Sequence, residues 1–355
     1  MKKTLSVLLS IIMIFSINTI VASAETEYLI SDFISEDADW YKYVAEENGW
    51  VCLESENSLV ICFYAGNETS ITVPTKIMDI EIGWFGGFSA SARTTVEQVV
   101  VPEGVGLWSE VFKNCVNLSN VVLPPDTRSI PYQAFSGCSS LKNITIPESV
   151  EVICEESFSE SGLESIVLPK SVTRFGNFAF YGCKSLKQIT IKSDVMNRIR
   201  LYSTSDDANT VPTGFLGSCT SLEMVELPHS IKEIDAYAFS YCTNLRTVDL
   251  PKALETIHNG VFQNCTSLKN IYLPETLKNI HTRAFMSSGL ESITMPKSCT
   301  NLGEEVFQEC KNLKQIVFKG ETVNTLEEYI DEDDKEILSV SKMPFLVTSL
   351  TAVIR

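Results

Sequence analysis

Apolar positions in this chain recur in a fixed frame. From Pro228 it reads PHSIKEIDAYAFSYCTNLRTVDL, then PKALETIHNGVFQNCTSLKNIYL, and then Pro274. The two blocks of 23 residues align without a gap: Ile231 falls on Leu254, Ile234 on Ile257, Phe239 on Phe262, Cys242 on Cys265, Leu245 on Leu268 and Val248 on Ile271. Blocks begin at Pro102, Pro124, Pro147, Pro169, Lys192, Pro228, Pro251, Pro274 and Pro296. They are 22 or 23 residues apart, except for the 36 between Lys192 and Pro228. An irregular first unit starts at Pro74, where Ile77, Ile80 and Phe85 keep the frame and Gly86 to Thr95 lengthens it. A period this short predicts a solenoid of about ten units, one supersecondary turn per unit.

Within each unit, L-x-x-I-x-I before the proline reads as a short strand with Leu141, Ile144 and Ile146 turned inward. Proline ends it, having no N–H for the ladder. The next apolar pair, Val150 and Ile153, makes a second side of the coil, and Ala134-Phe135-Ser136-Gly137-Cys138 suits a helical turn. About five buried apolar side chains per coil, at about 1.5–3 kcal/mol each, sustain a stack but not a lone unit.

The ends depart from the frame. Residues 25–73 read as an N-terminal cap, with some helix near Asp37 to Glu47. A hairpin is expected from Trp50–Leu53 and Leu59–Tyr64, which would cover the open end of the sheet; Cys52 and Cys62 could face each other across it. The solenoid spans 74–318, with an insertion within 192–212 expected as a surface loop. Residues 319–355 read as a C-terminal cap whose acidic run includes Glu327, Asp331, Asp333 and Glu336.

Residues 1–24 have the features of an export signal: Lys2 and Lys3, an apolar stretch from Leu5 to Val21, and Ala22-Ser23-Ala24 before a mature start at Glu25. No second long apolar run follows, so no membrane insertion is expected after the signal is removed. The net charge of −17 becomes −19 without the two lysines. That excess disfavours nucleic acid and anionic membranes and favours cationic partners.

The 11 cysteines of an exported chain first suggest disulfides. Their placement points elsewhere. Cys115, Cys138, Cys183, Cys219, Cys242, Cys265 and Cys310 share one slot of the repeat, and Ser161 and Ser288 fill the slots between. One slot filled by small side chains reads as a buried ladder of free thiols packed as small hydrophobes, although stacked neighbours could approach disulfide distance.

Ile146-Pro147, Ala134-Phe135 with Cys138, and Ala238-Phe239 with Cys242 resemble the BspA-type leucine-rich repeat, whose pattern joins I-P, V-x-x-I, A-F-x-x-C and L-x-x-I-x-I-P. Tyr64-Ala65-Gly66-Asn67 leading into Val73-Pro74 looks like the usual start of such arrays. The resemblance covers about residues 60–318. The chain departs from it at Leu216 in the Phe slot, at Lys192 and Lys319 in the Pro slot, and by a one-residue deletion between Pro102 and Phe112. It implies an α/β solenoid, a leucine-rich repeat array of short parallel strands capped at both ends. It also implies a bacterial surface or secreted adhesion protein that binds host or partner-cell proteins.

No chemistry stands out beside it. His258 and His281 share a slot 23 residues apart and would stack on adjacent coils, but no third metal ligand occupies that slot. His229 has no evident partner. No G-x-S-x-G elbow, phosphate loop, H-E-x-x-H or EF-hand pattern occurs, and no two carboxylates are singled out as a glycosidase pair. Neither a cofactor nor catalysis is expected.

The outward residues of the strands form columns on what should be a concave face. One column runs Val122, Thr145, Val167, Thr190, Glu226, Asp249, Tyr272, Thr294 and Val317. A second column two residues earlier includes Asn120, Gln188 and Met224, and the C-terminal centre of the two groups Met224, Glu226, Asp249 and Tyr272, a mixture that suits protein contact. The expected function is therefore an exported, secreted or cell-surface protein-binding or adhesion module, with these four residues as the partner site. A structural spacer on the cell surface is the alternative, and a hydrolase stands behind both.

Overall fold

The computed structural model describes residues 41–55, 60–198, 210–319 and the strand Thr351–Val353. The export segment, residues 199–209 of the insertion and the acidic run near Asp331 lie outside the described residues.

The chain winds through about eleven turns of a parallel β-solenoid. Each coil has three sides. The first is the strand face. There Ser70–Thr72, Gln98–Val100 and Asn120–Val122 pair in parallel, as do Ser165–Leu168 with Gln188–Ile191, Met224–Glu226 with Thr247–Asp249, and Ser292–Met295 with Gln315–Phe318. Thr351–Val353 adds an antiparallel strand at the end. The second side stacks two-residue strands, from Ser129–Ile130, Val152–Ile153 and Arg174–Phe175 on to Asn301–Leu302.

The third side differs from the expected helical turn. Alternate amides close turns of three residues, as in Ala238 to Asp235, Ser240 to Tyr237 and Cys242 to Phe239. The amides between them reach the next coil: Tyr237 to Asn259, Phe239 to Val261 and Tyr241 to Gln263. Residues four apart take left-handed backbone in coil after coil, for example Gln133 with Gly137 and Tyr237 with Tyr241. A helix cannot pass through such residues. The six-residue helix Ala90–Thr95, capped by the Ser89 hydroxyl, is the α-helix among the described residues.

The core is a column of rings and thiols. Phe112, Phe135, Phe158 and Phe180 stack 4.9–5.2 Å apart, nearly parallel, and Phe239, Phe262, Phe285 and Phe307 continue at 5.3–5.8 Å. Between the two runs Leu216 fills the Phe slot. Phe215 turns inward beside it and meets Phe180 edge-on at 5.4 Å. The ladder cysteines are free thiols. The carbonyl of the Phe-slot residue one coil earlier accepts each thiol from Cys138 onward: Phe112 from Cys138 at 3.0 Å, Phe239 from Cys265 at 3.1 Å, Phe285 from Cys310 at 3.0 Å. Cysteine suits the slot because it is small and apolar yet carries a donor.

Where serine replaces cysteine, Ser-Gly-Leu at 161–163 and 288–290 is one residue shorter than Cys-x-x-Leu. Gly162 and Gly289 lie so close to the Ser139 and Thr266 carbonyls that a Cβ would collide. The strand segments just before them, around Thr145 and Tyr272, hold their register without ladder pairing.

At the N-terminus, Tyr41–Glu47 is a strand where helix was expected. It pairs antiparallel with Trp50–Ser55 across Asn48-Gly49, both at positive φ. Asn-Gly between alternating residues is a strong hairpin signal, and it overrides the local helix pattern. Trp50–Ser55 pairs antiparallel with Val60–Tyr64, Cys52 opposite Cys62 with a disulfide between them. Val60–Tyr64 then pairs in parallel with Trp84–Phe88, joining this meander to the second face.

At the insertion the three sides part company. The turn side runs directly from Phe178–Gly182 to Thr213–Gly217. The second face gains a rung, because Asn197–Arg198 pairs with Arg174–Phe175 while Thr210–Val211 starts the next ladder, bonded through Thr210 to Met196. On the strand face Gln188–Ile191 neighbours Met224–Glu226, but the two belong to separate ladders.

Candidate functional site

The strand face presents the expected outward columns. Val225 and Val248 point into the core, so Met224, Glu226, Thr247 and Asp249 point out. Glu226 lies directly opposite Asp249 in the parallel register, and Met224 opposite Thr247. Tyr272 follows Asp249 by one repeat and is 89% exposed, while Met224 is 46% exposed. Val100, Val122 and Val167 extend an apolar column toward the N-terminal end.

Two adjacent carboxylates on neighbouring strands repel each other. Elsewhere the protein offsets such charge with cations one coil away: Lys142 with Glu164 at 3.3 Å, Lys269 with Glu291 at 3.1 Å, Lys278 with Glu255 at 2.6 Å. Among the described residues no ion pair includes Glu226 or Asp249. The patch therefore offers a ring, a thioether and two uncompensated carboxylates on one flat surface.

The histidine pair stacks as expected on the second face, with ring centroids 4.9 Å apart and planes 12° apart. Parallel rings do not converge on a common point. His258 Nε2 instead lies 3.2 Å from a Glu233 carboxylate oxygen. Burial holds the His281 imidazole below its ordinary pKa, and the neighbouring His258 adds to this. Among the described residues no group of three His, Cys, Asp or Glu side chains could hold a metal, and no helix is long and apolar enough to cross a membrane.

The ladder thiols are chemically quiet except at Cys183, where burial is outweighed by hydrogen bonds from Cys219 and Ser161 that hold the thiol below its ordinary pKa. Burial pushes Cys115 and Cys242 up to about 12 and Cys138, Cys219 and Cys265 well above the ordinary thiol range. Nucleophilic cysteines have the opposite setting, a lowered pKa beside a cation.

Sequence reasoning overlooked a second group of rings on the turn side, Phe178 and Tyr181, which are half-buried, and Tyr237 and Tyr241, which are exposed. The signal was present, since all four occupy variable positions of the repeat, but a turn read as helix gave no reason to place them together.

The stacked parallel coils, phenylalanine column and thiol ladder define a leucine-rich repeat protein. A profile of the BspA type leucine rich repeat region matches residues 107–206 and 209–336, in six copies, and the chain belongs to that family. It is similar to a leucine-rich repeat protein from Bacteroides ovatus, with 24% identity over 80% of this chain and 70% of that one, at a TM-score of 0.64. A leucine rich cell surface protein from Faecalibacterium prausnitzii is 22% identical over 81% of this chain and 96% of its own, at a TM-score of 0.40. At these identities the likeness bears on the fold alone. No curated protein matches the chain.

Proposed function

We propose that this chain is an exported, non-catalytic protein-binding module that takes its partner on the strand face around Met224, Glu226, Asp249 and Tyr272. The observation that carries this reading is the uncompensated Glu226–Asp249 pair beside a tyrosine that is 89% exposed. Cationic side chains of a partner relieve the repulsion, and an exposed ring anchors an interface at little entropic cost. Residues 1–24 support export, with a mature chain of cap, solenoid and acidic C-terminal cap acting outside the cell or on its surface. The partner is a protein of a host or neighbouring cell, as adhesion in this family implies.

The test is capture of matrix and cell-surface proteins by the mature chain, followed by affinity measurement with variants. Tyr272→Ala should weaken binding by about 1–2 kcal/mol or more. Glu226→Lys with Asp249→Lys should slow association, more so at low salt. Full affinity in the triple variant with an unchanged melting curve would remove the site from this face. A mature chain that captures nothing would leave the spacer reading in its place.

A further inference from the structure

The left-handed positions of the turn side are filled in most coils by glycine, asparagine, serine or acidic residues. Three are filled by rings: Phe178 at φ 56, Tyr237 at φ 59 and Tyr241 at φ 59. Bulky side chains disfavour this conformation, and residues kept there against preference cluster at functional surfaces. Burial does not explain these, since Tyr237 is 45% and Tyr241 50% exposed. The rings lie down along the solenoid over positions without side chains. Phe178 covers Gly214, Tyr181 covers Gly217 and Tyr237 covers Gly260, with Phe178 and Tyr181 in edge contact at 5.7 Å.

The same surface carries little charge; at its edge the Asp235 carboxylate accepts from the Thr213 hydroxyl at 2.9 Å. Residues 176–182, 213–218, 236–242 and 259–264, four successive coils of this side, contain no Asp, Glu, Lys or Arg, although 21% of the chain is charged. Their polar groups are amides and hydroxyls, such as Asn259, Asn264 and the three tyrosine phenols. Charge returns on both flanks, with Glu155, Glu156 and Glu160 on one and Arg283, Glu304 and Glu305 on the other.

We infer that this turn-side surface binds a neutral polysaccharide. The C–H faces of sugar rings stack on aromatic rings, and their hydroxyls pair with amides and phenols. Phe178 and Tyr237 sit two coils apart, roughly 10 Å at ordinary strand spacing, comparable to two units of a linear glycan. Rings repeating along the solenoid suit a polymer that repeats along its own axis. Acidic flanks and a net charge of −17 repel acidic glycans. A protein partner would be expected to meet aliphatic or arginine anchors as well, and the surface offers neither. The surface shares no residue with the strand-face site.

Electrophoresis of the mature chain through gels containing mixed-linkage β-glucan, galactomannan, dextran or soluble starch tests this, with polygalacturonate as the acidic probe. At least one neutral gel should retard the protein, and polygalacturonate should not. Tyr237→Asn with Tyr241→Asn should weaken that retardation at least tenfold. Its melting midpoint should not fall, because asparagine tolerates left-handed backbone. Tyr237→Phe keeps the ring and should keep most of the retardation, and Tyr272→Ala should keep all of it. The inference is overturned by free migration in every neutral gel, by equal retardation of the double variant, or by loss in Tyr237→Phe as large as in the asparagine variant. Capture of a protein by these rings with no response to any of the polysaccharides also overturns it.

Discussion

Alkali should unfold this solenoid through its thiols. Burial holds Cys115 and Cys242 up to about 12, whereas an unfolded chain loses the thiol proton near pH 8.5. Between those values the folded state keeps protons that the unfolded state has released. Stability is therefore flat below about pH 8 and falls as pH rises toward about 12. A gap of this size amounts to about 2 kcal/mol per thiol at pH 10, hence about 4 kcal/mol for this pair. Burial also raises the Cys138, Cys219 and Cys265 thiols, so they add to the loss in the same direction. Burial is the cause, and the geometry is consistent with it: Cys242 donates to the Leu216 carbonyl at 3.1 Å. Urea melts followed by far-UV circular dichroism at pH 8, 9, 9.5 and 10 should show the midpoint dropping steeply above pH 9. The variant Cys115→Ala with Cys242→Ala should start less stable at pH 8, because two cavities open. Its midpoint should then fall less steeply, with the gap narrowing by about 4 kcal/mol at pH 10. Parallel pH profiles for the two proteins would refute the argument.

Four further outcomes follow from the packing. Leu268→Ala, at a fully buried position, should cost about 2–5 kcal/mol; a change within about 0.5 kcal/mol in denaturant melts would contradict its burial. Alkylation of the denatured, unreduced chain should label nine cysteines, with two more after reduction of Cys52–Cys62; mass spectrometry showing fewer than nine would reveal a further bridge, and fewer than seven a bridge within the ladder. Leu216→Phe restores the repeat pattern but overfills a site that Phe215 already crowds, so it should destabilise by about 1–3 kcal/mol; a stabilised variant would mean that Phe215 can swing away. The depressed His281 pKa means stability should drop as pH falls through the region below 6.5, an effect absent from His281→Gln, and identical acid profiles for the two would exclude the stacked pair as its source.

The period and the inward frame were legible because each slot repeats its chemistry from coil to coil, so Phe239 and Phe262, or Cys242 and Cys265, mark the same depth. Outward positions followed from strand alternation, which is why Met224 and Tyr272 were placed correctly. The turn side was not legible. Its left-handed positions hold Gln133, Phe178 and Tyr237 as well as Gly137 and Asn264, so glycine and asparagine mark such backbone in only some of the coils. Asn48-Gly49 did betray a hairpin, but the acidic run around it imitated a helix. The compensation of Leu216 by Phe215 depends on two rings meeting across coils, and the repeat pattern does not encode that.

The additional rung at Asn197–Arg198 has a consequence for shape. Strands stack about 4.8 Å apart, so one extra rung lengthens the second face relative to the strand face at that level, where Gln188–Ile191 and Met224–Glu226 sit in separate ladders. The solenoid then behaves like a column with a keystone driven into one side. On that geometry the coils before the insertion and those after it should meet at an angle along the break. Val122 and Val167 lie on one side of it, and Glu226, Asp249 and Tyr272 on the other. A ligand that reached both would have to follow that angle, so the extra rung at Asn197–Arg198 should select for the curvature of any partner on the strand face.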